Sequence, residues 1–338
     1  MTAGNHASGI ILNASFGDIA RSYTGQKAVI LTDNNIYSLY AKTFAGYEVI
    51  LIEAGENIKT QETVNYVIQR MLDLDMDKSS MLIGVGGGVV TDIAGYAASV
   101  YKRGIPLGLV PTSILGMTDA AIGGKNGVNV GIYKNMVGTT YRPSFILYDM
   151  HFLNSLPKEE WVNGFAEIIK HACIKDARMF ADLEMHSIEY YRENNAAIAA
   201  LIEQNIGIKS RVVENDEFET GERYLLNFGH SFGHAIENIY SLPHGHAISI
   251  GMLIAARISE LLEEAPVGTS VRIESLLKQY GLTVALKMDT EKLNSALIKD
   301  KKRKGDSINF VLLNEVGMGI VRSLPLEKIS ALLPQTIS

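Results

Sequence analysis

Residues 81–100 read MLIGVGGGVVTDIAGYAASV, and the fold class turns on this stretch. It has about the 20-residue length of a bilayer-crossing helix and carries a single charge, Asp92. It also holds Gly84, Gly86, Gly87, Gly88 and Gly95, which together with Asp92 make it a strand, a glycine turn and the start of a buried helix. Such a turn aims backbone N–H groups and the positive end of the helix dipole at an anion such as a pyrophosphate. The spacing departs from GxGxxG, because Thr91 stands where the third glycine would fall. A strand-to-helix turn without a ligand is the plainer alternative. Three successive glycines leave backbone exposed, which is unfavourable unless something approaches closely.

On either side of it, β-branched runs at KAVILTD (27–33), YEVILIE (47–53), MLIGVG (81–86), PLGLVPT (106–112) and FILYD (145–149) alternate with helical stretches at 65–74 and 89–100. That alternation predicts a parallel sheet with crossover helices, a Rossmann-like α/β domain. Pro111, Thr112 and Ser113 end one of these strands, where ligands gather in open α/β sheets, though hydroxyls there are also ordinary helix caps. Beyond Leu156-Pro157 the period is helical at 159–173, 177–187, 196–213, 230–240, 246–262 and 271–280. SINFVLLNEVGMGIV (307–321) reads as a closing hairpin with Gly317 near its turn. The expected domains are therefore 1–153, α/β, and 154–338, all-α.

The 338 residues are 47% apolar and 20% charged, enough for two folded cores and unlike disordered or fibrous chains. A net charge of −6 gives no global attraction for nucleic acid or an anionic membrane, so neither is expected as a partner. The N-terminus has no basic segment followed by an apolar run, so no signal peptide is expected. One cysteine, Cys173, excludes an internal disulfide and a thiolate zinc site, which points to the cytoplasm and leaves any metal to His, Asp or Glu.

His230, His234, His244 and His246 crowd into seventeen residues, the first two spaced i, i+4 on one helix face. Imidazoles with a carboxylate are the donor set of catalytic divalent sites that keep a position open for substrate. Glu167 is the best carboxylate, on a helix where Lys170 and His171 follow at i+3 and i+4. A surface ion pair with some capping histidines is the competing possibility, and spacing alone does not choose which three groups would bind. Lys125 and Lys134 lie in DAAIGGKNGVNVGIYKNMVG, which reads as a long glycine-rich loop. With Arg103, Lys209, Arg223 and the run Lys299, Lys301, Lys302, Arg303 and Lys304 they form a basic set. Each alone is an ordinary surface charge. Together, in an acidic chain, they suit a small substrate with several negative charges.

In order along the chain, GVGGGVVTDIAGYAAS, YKRGIPLGLVPTSIL, DAAIGGKNGVN, KNMVG, GFAEIIKHA, LLNFGHSFGHAIE, HGHAISIGM and DKK closely resemble the motif series of the 3-dehydroquinate synthase family. The resemblance implies an α/β domain that binds NAD, an α-domain that carries zinc or cobalt, a cytoplasmic homodimer and a sugar phosphate substrate. It implies Glu167, His230 and His244 as metal ligands. For NAD it implies Gly86, Gly87, Gly88, Asp92, Thr112 and Ser113, with Asp33, Glu56 and Lys59 further out. For catalysis it implies Asp119, Lys125, Lys170, Lys209, Arg223, Asn227 and His234. Arg103, Lys134, Asn135 and one of Lys301 or Lys302 would contact the substrate's phosphate and carboxylate.

The implied activity is that of a carbon–oxygen lyase acting on phosphate. It converts 3-deoxy-D-arabino-heptulosonate 7-phosphate to 3-dehydroquinate and phosphate, the second step of the shikimate pathway. NAD+ oxidises the C5 hydroxyl, the ketone acidifies the C6 proton, phosphate is eliminated and NADH returns its hydride. The ring then opens and recloses by an intramolecular aldol reaction. Three positions depart from the family pattern: His246 stands where Glu is usual, Thr91 where Gly is common, and Asn126 where Thr is usual. Other sugar-phosphate cyclases, metal-dependent polyol dehydrogenases and a non-catalytic NAD- or anion-binding protein are the rival classes. The last predicts at least one broken ligand position, and all three are intact.

Overall fold

The computed structural model describes residues 9–12, 14–18, 26–131, 133–298, 303–304 and 307–337. Lys299, Lys301 and Lys302 lie outside them. The chain forms two compact units, Met1–Pro157 and Lys158–Ser338. The division falls just beyond the expected 153/154, because the short helical turn Met150–Ser155 buries Phe152 in the core of the first unit, against Tyr40.

The first unit contains β1 (Gly9–Ile11), β2 (Ala28–Asp33), β3 (Glu48–Ile52), β4 (Met81–Gly86), β5 (Leu107–Pro111), β6 (Lys125–Val130), β7 (Tyr133–Thr140) and β8 (Phe145–Leu147). Its helices are α1 (Asn34–Tyr40), α2 (Gln61–Asp73) and α3 (Gly88–Val100). Six strands form one parallel sheet in the order β1-β8-β5-β4-β2-β3. The strands β4 and β5 are buried along their whole length, which is why they read as unbroken apolar runs rather than alternating ones. The chain leaves β2 toward β3 on one side and leaves β4 toward β5 on the other, so the strand order reverses between them. Pairing of Thr32 with Val85 sets the ends of these two strands, Asp33 and Gly86, side by side at that reversal. Dinucleotides bind at such a position in open α/β sheets.

The strands β6 and β7 form an antiparallel hairpin where a glycine-rich loop was expected. Its glycines serve close packing: Gly127 faces Gly138 across the hairpin, and a Cβ on Gly138 would lie 2.0 Å from the Asn126 carbonyl oxygen. Most of β7 is exposed, so no apolar alternation marks it as a strand. Asn126 is buried, donating to the carbonyls of Gly124 and Tyr141 at 2.8 and 3.0 Å and occupying the space a side chain at Gly95 would need. This departure from the family pattern is a packing residue.

The second unit contains α4 (Lys158–Lys175), α5 (Ala177–Met185), α6 (Ile188–Glu193), α7 (Asn195–Asn215), α8 (His230–Tyr240), α9 (His244–Leu261), α10 (Thr269–Gln279), α11 (Thr290–Ile298) and α12 (Leu326–Leu332). It is not all-α. β9 (Arg303–Lys304), β10 (Ser307–Glu315) and β11 (Met318–Pro325) form an antiparallel sheet in the order β11-β10-β9, and Phe310 packs edge-on against Phe232 of α8. Gly317 turns the hairpin at φ +90°. Two close approaches set the helices that matter here. Gly251 of α9 leaves no room for a Cβ, which would lie 2.0 Å from the Gly229 carbonyl ahead of α8, and Gly245 lies as tightly on the backbone of Asn163 in α4. Among the described residues, no helix is long and apolar enough to cross a membrane.

Candidate active site

In the first unit the glycine turn has the expected form. Gly87 is the extended residue ahead of α3, and the first turn of that helix carries no acidic side chain. A Cβ on Gly87 would meet only Ser113 Oγ, at 3.5 Å, so space opens over the turn beside Thr112 and Ser113. Asp33 caps α1, accepting from the N–H groups of Asn35 and Ile36 at 2.9 Å each. Burial pushes its carboxyl above the ordinary value, against the pull of these two bonds. Thr91 turns its hydroxyl back to the Gly88 carbonyl at 2.9 Å and is buried, so it takes the place of a glycine as a packed helix residue.

Lys59 pairs with Asp92 and donates to Asn135 Oδ1 at 2.6 Å. Asn129 accepts from the Asn135 N–H at 3.0 Å and donates to Glu56 Oε1 at 2.8 Å. Glu56, Lys59, Asp92 and Asn135 therefore form one network, joined by Asn129, the last residue of the DAAIGGKNGVN motif. Lys134 adjoins it at the turn of the hairpin. Lys125 begins β6 at the opposite end, about 17 Å away along the strand. Arg103 stands exposed in a left-handed stretch with Lys102 (φ +48° and +62° for Lys102 and Arg103), and Asp119 lies on the short turn Gly116–Ala120.

The second unit holds the metal candidates. Donor atoms of Glu167 (α4), His230 (α8) and His244 (α9) all lie within 4.8 Å of one another. Glu167 Oε1 is 3.5 Å from His230 Nε2 and 3.3 Å from His244 Nε2, while Glu167 Oε2 pairs with the buried Lys170. His230 Nδ1 lies 3.1 Å from the Phe228 carbonyl, which can only accept, so Nδ1 carries a proton and Nε2 is the ring nitrogen that faces Glu167. His244 Nδ1 faces the Glu237 carboxylate at 3.4 Å. Carboxylates and carbonyls behind imidazoles fix the tautomer that metal ligation requires. Burial opposes the charge on Glu167, but Lys170, His230 and His244 outweigh it and hold the carboxyl well below its usual range. Burial likewise opposes the charge on His244, yet Glu167 and Glu237 push it up to about 9. Without an ion the cluster needs that proton, and a divalent cation fits the donor set by replacing it.

Lys170, Lys209 and Arg223 are buried in the same unit. Arg223 Nη1 donates to the Glu217 carbonyl at 2.8 Å and Asn227 Nδ2 to Glu219 Oε1 at 2.6 Å. The ring of His234 stands edge-on to His230, with centroids 5.1 Å apart. His246 turns away from the three donors: its Nδ1 accepts from the Thr283 N–H at 3.2 Å and lies 2.8 Å from the Thr283 hydroxyl. Burial lowers its pKa, so it is a neutral tie between α9 and the segment after α10. His171 likewise supports the helix, with Nδ1 on Asn205 Oδ1 at 3.0 Å. Glu237 is a site residue that sequence reasoning missed. Its spacing of i+7 from His230 puts both on one face of α8, and that signal could have found it.

Two family models match the chain: 3-dehydroquinate synthase N-terminal over residues 49–163 and 3-dehydroquinate synthase C-terminal over residues 164–303. This chain belongs to the 3-dehydroquinate synthase family. A 3-dehydroquinate synthase of Clostridium perfringens (strain 13 / Type A) is 40% identical over 285 residues, 83% of this chain and 81% of that one. One of Pyrococcus furiosus is 38% identical over 308 residues, 89% of this chain and 90% of that one. Among solved structures, 2-epi-5-epi-valiolone synthase from Streptomyces hygroscopicus subsp. jinggangensis 5008, with NAD+ and Zn2+ bound, superposes with a TM-score of 0.90 at 28% identity, covering 99% of this chain and 98% of that one. A 2-deoxy-scyllo-inosose synthase complexed with carbaglucose-6-phosphate, NAD+ and Co2+ has a TM-score of 0.86 at 25% identity, with coverage of 99% and 98%. A probable glycerol dehydrogenase from Sinorhizobium meliloti 1021, at 15% identity and TM-score 0.68 with 98% of each chain covered, shares the fold alone.

For this family member, Glu237 gives a direct test of the metal assignment. Glu237→Gln is expected to weaken zinc or cobalt binding by about 10- to 100-fold, as loss of a carboxylate behind a ligating imidazole does. Competition against a chelator of known affinity measures it, and unchanged affinity would remove Glu237 from the site.

Proposed function

We propose that this chain converts 3-deoxy-D-arabino-heptulosonate 7-phosphate to 3-dehydroquinate and phosphate, using NAD and a divalent metal, zinc or cobalt, without net consumption of NAD. The observation that carries the proposal is the grouping in one unit of Glu167, His230 and His244 with the buried cations Lys170, Lys209 and Arg223. A neutral polyol has no use for such a set, whereas a phosphorylated, carboxylated sugar needs its charges neutralised.

Glu167, His230 and His244 would hold the ion, and the glycine turn with Asp33, Glu56, Lys59, Asp92, Thr112 and Ser113 would hold NAD. When bound, the ion supplies Lewis acidity toward the oxygen at C5, and NAD supplies the acceptor and later the donor of hydride. Lys170 balances the charge of Glu167. Lys209 would stabilise the oxyanions formed during elimination and aldol closure, while Arg223, with Asn227 as a neutral donor beside it, would neutralise the anionic groups the substrate carries throughout. His234 stands against the edge of His230, where it can take a hydroxyl proton. The family resemblance also assigns Arg103, Asp119, Lys125, Lys134, Asn135 and one of Lys301 or Lys302 to the substrate.

The test is phosphate release from the heptulosonate phosphate with catalytic NAD+. Release is expected to stop on chelation and return with zinc or cobalt. Metal-independent release, or none from the metal-loaded protein, would remove the proposal. Gly87→Ala separates the cofactor role from folding. Its Cβ fits the fold, with nothing closer than 3.5 Å, but fills space over the turn, so NAD+ affinity is expected to fall at least about tenfold while thermal stability changes little. Titration of NAD+ by protein fluorescence checks this.

A homodimer belongs to the same proposal. The hairpin leaves Val130, Tyr133, Met136 and Val137 exposed, apolar side chains that a second copy would cover. Sedimentation at micromolar protein should give twice the 37.0 kDa chain mass, and a monomer there would count against it. A cytoplasmic setting suits the single cysteine, which is buried.

A further inference from the structure

Between α7 and the helical turn Glu222–Asn227, the loop is organised around one carboxylate. Asp216 Oδ1 accepts from the Thr220 N–H at 2.8 Å and its hydroxyl at 3.2 Å. Asp216 Oδ2 accepts from the N–H groups of Gly221 at 2.7 Å and Arg223 at 3.0 Å. These donors, led by the Thr220 N–H, hold the Asp216 carboxyl down at about 2, so it is charged at any working pH. The loop has little apolar packing to hold it. Phe218 at its tip is 82% exposed, and Thr220 and Gly221 are exposed too. Glu219 sits in the left-handed region at φ +56°, a conformation a side chain rarely adopts unless its surroundings impose it.

The loop in turn supplies the acceptors for two groups assigned above to substrate: the Glu217 carbonyl for the Arg223 guanidinium, and the Glu219 carboxylate for the Asn227 amide. Asp216 also holds the backbone of Arg223 itself. We infer that Asp216 is a positioning residue for substrate binding. By closing the loop 216–223 it aims Arg223 and Asn227 at the substrate's anionic groups, without touching the substrate, the metal ligands or the cofactor turn. The inference rests on the function proposed above, and it accounts for a charged side chain buried where no cation pairs with it in the bonds described.

Asp216→Asn is the test. Replacing either carboxylate oxygen with an NH2 group sets a donor against backbone donors, Gly221 N–H and Arg223 N–H on one side or Thr220 N–H on the other. With saturating metal and NAD+, KM for the heptulosonate phosphate is expected to rise about tenfold or more. The maximal rate should change by less than about threefold, because binding is lost in ground and transition states alike. Zinc affinity and NAD+ affinity should stay at wild-type values. Glu222→Gln is the control for a merely structural effect. It weakens the same loop's ties to Lys175 and Asn215 without disturbing Asp216, so it should lower stability and leave KM unchanged. If Asp216→Asn does not fold, Thr220→Val, which removes only the 3.2 Å hydroxyl bond, is expected to raise KM about two- to threefold. A wild-type KM in the folded Asp216→Asn protein overturns the inference, as does an equal KM rise in Glu222→Gln. So does an unchanged KM in Thr220→Val if that is the variant that folds. Absence of turnover in the wild-type protein would instead overturn the proposed function.

Discussion

His230→Ala is expected to abolish turnover while leaving NAD+ binding intact. The substitution removes one of three donors gathered within 4.8 Å and the imidazole held from behind by the Phe228 carbonyl. A Lewis acid contributes several kcal/mol to stabilising developing charge. Its loss therefore corresponds to a fall of about a thousandfold or more in rate, at tenfold for each ~1.4 kcal/mol. The groups assigned to the cofactor, Asp33, Lys59, Asp92 and the glycine turn, all belong to the other unit. Phosphate release at saturating zinc, beside an NAD+ titration of the same preparation, checks both halves. Comparable activity in the variant would dismiss His230 as a ligand.

Lys170→Met is expected to show the second large effect, in stability rather than rate. Lys170 and Glu167 are 1% and 0% exposed, and removing one member of a buried ion pair leaves the other uncompensated, at a cost of roughly 3–5 kcal/mol. The loss should depend on metal. In chelator the Glu167 charge keeps only the two imidazoles, whereas a bound divalent ion takes over its compensation and adds the free energy of binding to the folded state alone. Urea unfolding with and without zinc measures this difference. An equal loss under both conditions would mean that Glu167 does not meet the metal.

The sequence carried the parallel sheet and the candidate metal donors for different reasons. Strands buried on both faces, such as Met81–Gly86, cannot alternate, and an apolar run that short, closed by a glycine turn, suits a central parallel strand and little else. Glu167, His230 and His244 were legible as chemistry, but spacing alone left the choice of three open. Helix packing gathers these three, because Gly245 and Gly251 let α4, α8 and α9 approach closely enough to bring the donors together.

What stayed hidden was hidden for physical reasons. In the hairpin β6–β7, β6 buries the consecutive residues Asn126, Gly127 and Val128 and β7 is mostly exposed, so no apolar alternation marks it. The second unit was expected to be all-α although its closing hairpin was recognised, since nine residues of β10 count little against nine helices among the described residues. His246 looked like part of the site because it stands two residues from a ligand. On a helix that spacing turns a side chain to a different face, and here it reaches Thr283. Glu237 and Asp216 act through other residues, one behind an imidazole and one behind a loop, and composition carries no sign of such roles.

The most direct measurement is a turnover count with NAD+ well below substrate. Phosphate, 3-dehydroquinate and nicotinamide absorbance are followed in one metal-loaded sample of the heptulosonate phosphate. Many equivalents of phosphate and dehydroquinate per NAD+ are expected, formed one to one, with no NADH accumulating. Product limited to one equivalent per NAD+, with NADH rising in step, would mark a dehydrogenase and contradict it.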